Sequence, residues 1–334
     1  MKTPTVNGSN WMSALDGAIP ITALNIPGTH DSVTKYCTFS LFSQTQSLTV
    51  EEQLYAGVRY FDMRFRLKNK EFICAHSISD CKVSHGLFAK KLLAEDIVAI
   101  CKNFLEKNPR ETILFQLKED NTSSGDVFFE LFYEKHIQKD NSSWFLENRT
   151  PSLDEARGKI ILLRAVGISD EKFNDHNSGI NFCGYPYVGT TQTTDFRTGN
   201  VSYIKDANTA YTHLFVQDSY KQTPAQKIIA MNAFIEEKPD RNNYNINMAN
   251  CIGGIPCPIF TSHKINVFLK EYDFKEKGYF GIVGLDFATA GLCRKIYMCN
   301  DMTQTPEIPT ECSEKSKDSL TEIIFNMLRH FFKP

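Results

Sequence analysis

The chain has 334 residues, 42% of them hydrophobic and 23% charged, with 37 Lys plus Arg against 39 Asp plus Glu. This is globular composition with enough apolar material for a substantial core, and a formal charge of -2 argues against a dedicated nucleic-acid binder. No apolar run reaches transmembrane length, so a soluble or peripheral protein is expected.

Residues 1–20 are polar apart from a short apolar stretch around Trp11 to Leu15, and no secretory leader is visible. The expected location is therefore the cytoplasm or a membrane periphery, or outside the cell if a leader has been removed. The ten cysteines include no CxxC pair. Cys74 and Cys101 fall in apolar patterns and read as small buried hydrophobes. Cys251, Cys257, Cys293, Cys299 and Cys312 crowd the last third, where a bridge stays open as an alternative to the favoured reducing compartment.

In chain order, a strand is expected over 21–26, running into Pro27-Gly28-Thr29-His30-Asp31. The next, over 58–66, carries Asp62, Arg64 and Arg66 at period two, on one face. A short strand at 71–76 pairs back through a turn at 68–70. An amphipathic helix over 92–105 has Leu93, Ile97, Ile100, Cys101, Phe104 and Leu105 as its stripe and stops at Asn108-Pro109. Strands follow at 111–118, 159–164, 214–216, 244–248 and 279–285. Helices are expected at 128–137, 224–237 and 263–272. Residues 167–210, which include Tyr185 and Tyr187, read as a long decorated loop, and 249–258 as a Gly/Pro/Cys loop.

Strand followed by helix, repeated, implies parallel strands with crossover helices: an α/β fold, a TIM-type (β/α) barrel, irregular or incompletely closed. No linker and no internal repeat divides residues 1–334, so one domain is expected. Residues 301–334 form a tail whose stripe over 318–332 (Leu320, Ile323, Ile324, Met327, Leu328, Phe331, Phe332) fits a helix docked on the barrel. Membrane attachment of that helix is the second reading.

Expected strand ends repeatedly coincide with ionisable residues: His30, Arg64, His76, Lys118, Arg164, Asp218 and Asp286. In a barrel those ends share one face, where such side chains converge. Two histidines and an arginine supply what metal-free phosphodiester cleavage by an internal hydroxyl needs. These are a base, an acid for the leaving alkoxide, and positive charge on the phosphoryl oxygens.

Several segments resemble the X domain of bacterial phosphatidylinositol-specific phospholipases C. They are Ile26-Pro27-Gly28-Thr29-His30-Asp31-Ser32, Gly57-Val58-Arg59-Tyr60-Phe61-Asp62-Met63-Arg64 and Cys74-Ala75-His76. Further matches are Asn108-Pro109-Arg110-Glu111-Thr112-Ile113-Leu114 into Leu117-Lys118, then Gly158 through Arg164, and Val216-Gln217-Asp218-Ser219-Tyr220. They run in family order from about residue 10 to 287.

The resemblance implies cleavage of phosphatidylinositol to diacylglycerol and inositol 1,2-cyclic phosphate at a membrane surface. His30 takes the proton of the inositol 2-hydroxyl, His76 protonates the leaving oxygen, and Arg64 clamps the phosphoryl group. Asp286 orients His30, Asp62 does the same for His76, and Asp31 holds Arg64. Lys118, Arg164, Asp218 and Tyr220 hold the inositol ring. Calcium-dependent relatives place an Asn where Asp31 stands and an acidic ligand where Arg64 stands, so no metal and no cofactor is expected.

Alternatives on the same residues are glycosylated inositol-lipid anchor cleavage, a metal-dependent glycerophosphodiester phosphodiesterase, and a non-catalytic inositol-lipid binder. A zinc cluster of Cys74, His76, Cys81 and His85 is disfavoured by its spacing. His136, His176, His213, His263 and His330 read as ordinary histidines. Phe39, Leu41 and Phe42, just past the His30 turn, face two equal readings, lipid contact or packing on the barrel.

Overall fold

A computed structural model describes residues 5–86, 88–120, 125–183, 185, 201–205, 213–254 and 257–302, with the backbone alone for 201–205 and 213. The strands in chain order are β1 (Ile26–Thr29), β2 (Tyr60–Lys68), β3 (Glu71–His76), β4 (Ser79–Asp80), β5 (Ile113–Glu119) and β6 (Trp144–Phe145). They continue as β7 (Ile160–Arg164), β8 (Ile180–Asn181), β9 (Val201–Lys205), β10 (His213–Gln217), β11 (Tyr244–Met248) and β12 (Ile282–Leu285). The helices are α1 (Ser40–Ser43), α2 (Val50–Ala56), α3 (Ala94–Lys107), α4 (Gly125–Phe132), α5 (Leu153–Ala156), α6 (Pro224–Glu236), α7 (Pro258–Glu271), α8 (Phe274–Lys277) and α9 (Ala290–Tyr297).

The strands form one sheet in the order β6-β7-β5-β2-β1-β12-β11-β10-β9. Along this order every neighbour from β6 to β10 is parallel and β9 returns antiparallel on β10, while off it β3 pairs antiparallel with β2 and β4 with β3. Among the described residues no ladder joins β8 to β10. The gap is crossed by side chains: Phe182, just after β8, meets Tyr244 of β11 at 5.1 Å between ring centroids. The fold is a TIM-type barrel left open at one seam.

Strand alternation divides the barrel. On β2, Asp62 and Arg64 face inward, and β5 sets Gln116 and Lys118 beside them in register. Phe65 points outward, 6.0 Å from Phe132 of α4 and 6.1 Å from Phe115, and Phe72 joins this apolar layer 5.4 Å from Phe132.

Several boundaries differ from the sequence expectation. The first strand begins at Ile26, where pairing with Ile282 of β12 sets its register, and Ile21–Ala23 is a 3-10 turn below it. The helix expected at 263 starts at Pro258, in keeping with proline's fitness for the first helical position. The helix expected over 128–137 ends at Phe132 and continues as a wide turn over Tyr133–Ile137. Helix α2 was not anticipated, although Thr49 and Glu52 form a capping box at its start. Gly57 ends it at φ 110, and a Cβ there would come within 2.8 Å of the Tyr297 ring. Tyr187, most of the 186–210 loop and the tail helix over 318–332 lie outside the described residues.

The end of the barrel where the strands begin is closed by a buried ion pair. Arg59 Nη2 meets Glu111 Oε2 at 2.7 Å, both nearly inaccessible to water. Glu111 also accepts the N–H groups of Met12 and Ser13, at 3.2 and 2.9 Å, and Arg59 donates to the carbonyls of Leu54, Val58 and Gly8. The guanidinium lies against Trp11 and Phe104. Truncating Glu111→Ala strands a buried cation, and urea unfolding should show a loss of about 3–5 kcal/mol. Activity per folded molecule should be unchanged, because the pair lies at the opposite ends of the strands from the site described next.

Candidate active site

The carboxyl end of β1 runs into a sharp turn. His30 N–H donates to Leu285 O at 3.1 Å, and Gln46 Nε2 ties the His30 and Leu285 carbonyls together at 2.9 and 2.8 Å. Asp31 then adopts φ 42, a left-handed conformation that non-glycine residues seldom take. Ser77, just after His76, and Phe287, just after Asp286, do the same at φ 55 and 49. Strained backbone thus follows three of the expected catalytic residues, a pattern common at functional sites.

Asp31 is the hub. Its Oδ1 meets Arg64 Nε at 2.5 Å, and its Oδ2 lies 3.2 Å from Nε2 of both His30 and His76. Arg64 Nη2 bonds Asp62 Oδ2 at 3.0 Å and approaches His30 Nε2 at 3.2 Å. Lys118 Nζ pairs with the other Asp62 oxygen at 3.0 Å. On the far side of the ring His30 Nδ1 meets Asp286 Oδ1 at 2.9 Å, while His76 Nδ1 meets the Ser43 carbonyl at 2.9 Å. The two imidazoles stand edge to face, 6.5 Å between centroids.

The cleft above them, of about 270 Å³, is lined by His30, Arg64, His76, Asp218, Tyr220 and Asn250, among others. In its neutral form, with the Nδ1 proton donated to Asp286, His30 would present its Nε2 lone pair toward this cleft, where Asn250 Nδ2 and Arg64 Nη2 can donate to it.

Charge balance sets the protonation states. Burial works against a charged His30, but Asp31 and Asp286 outweigh it and raise the imidazole to about 9. Burial would push Asp31 up, yet Arg64, His30 and His76 hold it below its usual value. Asp62 is likewise held far down, by Arg64 and Lys118 against burial. Asp286 is raised by burial, which the charge on His30 offsets only in part.

Among the described residues one group could hold a cation: His30, Asp31 and Asp62 offer ligand atoms within 4.8 Å of one another. The guanidinium of Arg64 reaches all three, so the positive charge this cluster would recruit is already covalently present. The residues therefore fit a metal poorly. Cys74, Cys81, His76 and His85 do not form such a group among the described residues; the His85 ring packs on Tyr36 at 4.6 Å.

Two sequence expectations change. Asp62 does not reach His76; it binds Arg64 and Lys118, and Asp31 takes the place beside His76. The reason is that Asp62 and Lys118 share the inner face of neighbouring strands, whereas His76 arrives from β3 on the other side of Asp31. Arg164 does not line the cleft. Its register with Leu117 puts it on the outer face, donating to the carbonyls of Ser178 and Val166 at 3.1 and 2.5 Å, with Phe129 alongside.

Lys118, Asp218 and Tyr220 do lie at the site. Lys118 is buried with Nζ 4.3 Å from the Tyr185 ring centroid, and Tyr185 Oη donates to Asp218 Oδ2 at 3.2 Å. Tyr185 and Asn250 were not singled out as site residues from sequence. Asn250 follows the carboxyl end of β11, so a strand-end rule widened from ionisable to all polar side chains would have found it; Tyr185 sits in a loop with no periodicity to read.

Residues 24–165 match the protein family described as phosphatidylinositol-specific phospholipase C, X domain. Over 249 residues the chain is 29% identical to a 1-phosphatidylinositol phosphodiesterase of Staphylococcus aureus (strain Newman), spanning 71% of this chain and 72% of that protein. A Listeria monocytogenes protein of the same description is 29% identical over 259 residues, 70% of this chain and 76% of the relative. The fold is similar to a solved structure of Staphylococcus aureus phosphatidylinositol-specific phospholipase C, studied for modulation of its membrane binding. That likeness has a TM-score of 0.68 at 21% identity and covers 89% of this chain and 98% of the other.

The geometry fixes the sign of one titration. Asp286→Asn removes a negative charge that favours the protonated ring, so the His30 pKa should fall from about 9 toward neutrality. NMR titration of the imidazole would read the shift directly; an unmoved or higher value would contradict this account.

Proposed function

We propose that this chain, which belongs to the phosphatidylinositol-specific phospholipase C X-domain family, cleaves phosphatidylinositol to diacylglycerol and inositol 1,2-cyclic phosphate. The observation that carries the reading is the pair of imidazoles 6.5 Å apart around one cleft, with the Arg64 guanidinium between two carboxylates beside them.

On this reading His30 Nε2 takes the proton of the inositol 2-hydroxyl, and the freed oxygen attacks phosphorus. Asp286 holds the ring through Nδ1 and stabilises the imidazolium that forms. His76 delivers a proton to the departing glycerol oxygen. Arg64, turning part of its fork from Asp31 and Asp62, meets the phosphoryl charge. Each proton-transfer group contributes about 10²–10⁴-fold. Lys118, Asp218 and Tyr220 offer the ring hydroxyls a charged donor, an acceptor and a flat apolar face, with Tyr185 and Asn250 added to that set. In hydrolysis of the cyclic ester the two histidines exchange roles.

Release of inositol cyclic phosphate from phosphatidylinositol in mixed micelles tests this, with excess EDTA present. Release should persist in EDTA and fall by at least about 10³-fold in His30→Ala. Loss in EDTA that calcium restores would overturn the metal-free mechanism, and an equally active His30→Ala would overturn the assignment.

We also propose that the rim of the cleft touches the lipid surface. Phe39 and Phe42 are 51% and 58% exposed, and Ile252, which lines the cleft with Phe42, is 39% exposed. Apolar side chains held out beside a lipid-cleaving cleft gain free energy by entering the acyl boundary. Replacing Phe39 and Phe42 together by Ser should weaken binding to phosphatidylinositol vesicles about tenfold or more in a sedimentation assay. Turnover of soluble inositol cyclic phosphate should stay within about twofold, and an equal loss on both substrates would sink the idea.

A further inference from the structure

Three cysteines lie in a row where the segment after His30 meets the hairpin that carries His76. Cys37 closes the turn Thr34–Tyr36, Cys81 follows β4, and Cys74 lies in β3. All three are buried, and each carries a free thiol. Cys37 and Cys81 are partners in an isolated antiparallel bridge.

The two hydrogen bonds of that bridge flank the pair: Thr38 N–H to Asp80 O at 3.1 Å, and Lys82 N–H to Tyr36 O at 2.9 Å. Cys37 and Cys81 are therefore a non-hydrogen-bonded pair, whose α-carbons stand about 4.5 Å apart with both side chains on one face. Disulfides span α-carbon separations of about 4.4–6.8 Å, so the backbone already has the required spacing. Cys74 also opposes Cys81, but there the Cys81 N–H donates to Cys74 O at 2.8 Å. On the return side Leu92 intervenes, with Cys74 N–H donating to Leu92 O and Leu92 N–H to Cys81 O, each at 2.9 Å, so this is not the close non-hydrogen-bonded pairing that Cys37 and Cys81 make.

We propose that Cys37 and Cys81 form a disulfide site, oxidised by exchange with a low-molecular-weight disulfide such as oxidised glutathione. One cysteine thiolate attacks the reagent's S–S bond, giving a mixed disulfide and releasing one reagent thiol. The second thiolate displaces the other. The two cysteines lose two protons and two electrons, and the reagent carries both away as two thiols. Burial pushes the Cys37 thiol up to about 12 and the Cys81 thiol well above its usual value. Exchange therefore accompanies folding, while the thiols are still exposed, and is slow once the chain has folded.

The bond would cross-link the chain at the base of the excursion over residues 38–43, which sends Phe42 to the cleft and Ser43 O to His76. It joins the segment leaving Asp31 to the segment leaving His76 without touching either catalytic ring. Its effect falls on the unfolded chain, which loses the freedom of the loop from residue 37 to residue 81.

The full chain, refolded in a glutathione redox buffer, is alkylated with iodoacetamide and digested without reduction, and the peptides are read by mass spectrometry. The Cys37 peptide should be linked to the Cys81 peptide, with Cys74 alkylated. Adding a reductant should lower Tm by roughly 2 °C or more, a shift that Cys37→Ala lacks. Alkylated Cys37 and Cys81, or Cys81 linked to Cys74, overturns the proposal, as does an equal response to reductant in Cys37→Ala.

Discussion

The site depends on one buried carboxylate. Asp31 is almost wholly inaccessible to water, yet it contacts Arg64, His30 and His76 at once. A lone carboxylate at that depth would take up a proton, and an unpaired guanidinium beside it would carry a desolvation penalty of several kcal/mol. Each is tolerable only with the other. Their pairing in turn demands that β1, β2 and β3 bring their ends together, and Lys118 on β5 completes the set by neutralising Asp62. The register of four strands is thus tied to the charge balance of one cluster.

The same coupling explains which parts were legible in the sequence. Rank along the chain gave the barrel, since strand-then-helix order leaves few topologies open. The strand-end rule correctly singled out His30, Arg64, His76, Lys118, Asp218 and Asp286 as residues that meet. It failed for Arg164 because the rule gives height along the barrel axis and not face. The face is set by parity relative to β5, and only the pairing of Arg164 with Leu117 reveals that parity. The partner assigned to His76 failed for a related reason. Asp31 and Asp62 lie near the same ring in space, and the choice between them rests on where β3 arrives, which no local pattern encodes. Tyr185 belongs to a loop with no period, so only the fold could show that it bridges Lys118 and Asp218.

The two ends of the barrel solve the burial of charge differently. At the end where strands begin, Arg59 and Glu111 saturate each other and the nearby backbone, leaving no charge to offer. At the other end, with His30 protonated, three cations (His30, Arg64 and Lys118) balance three carboxylates (Asp31, Asp62 and Asp286), but the cluster is not sealed: His30 and Arg64 still line the cleft. That open side is where an incoming phosphodiester anion can meet the Arg64 guanidinium. A saturated pair stabilises the fold; an unsaturated one leaves room for substrate.

Asp31 also bears on how two similar imidazoles take opposite roles. Its Oδ2 is equidistant, at 3.2 Å, from Nε2 of both rings. The one carboxylate therefore faces both rings at once and ties their positions together. Asp286 then breaks the symmetry, since it reaches His30 alone, while His76 has only the neutral Ser43 carbonyl on its far side. Together with Asp31, that second carboxylate raises the His30 imidazole against its burial. One shared carboxylate and one private one thus make two like side chains inequivalent, which is what the opposite roles proposed for them require.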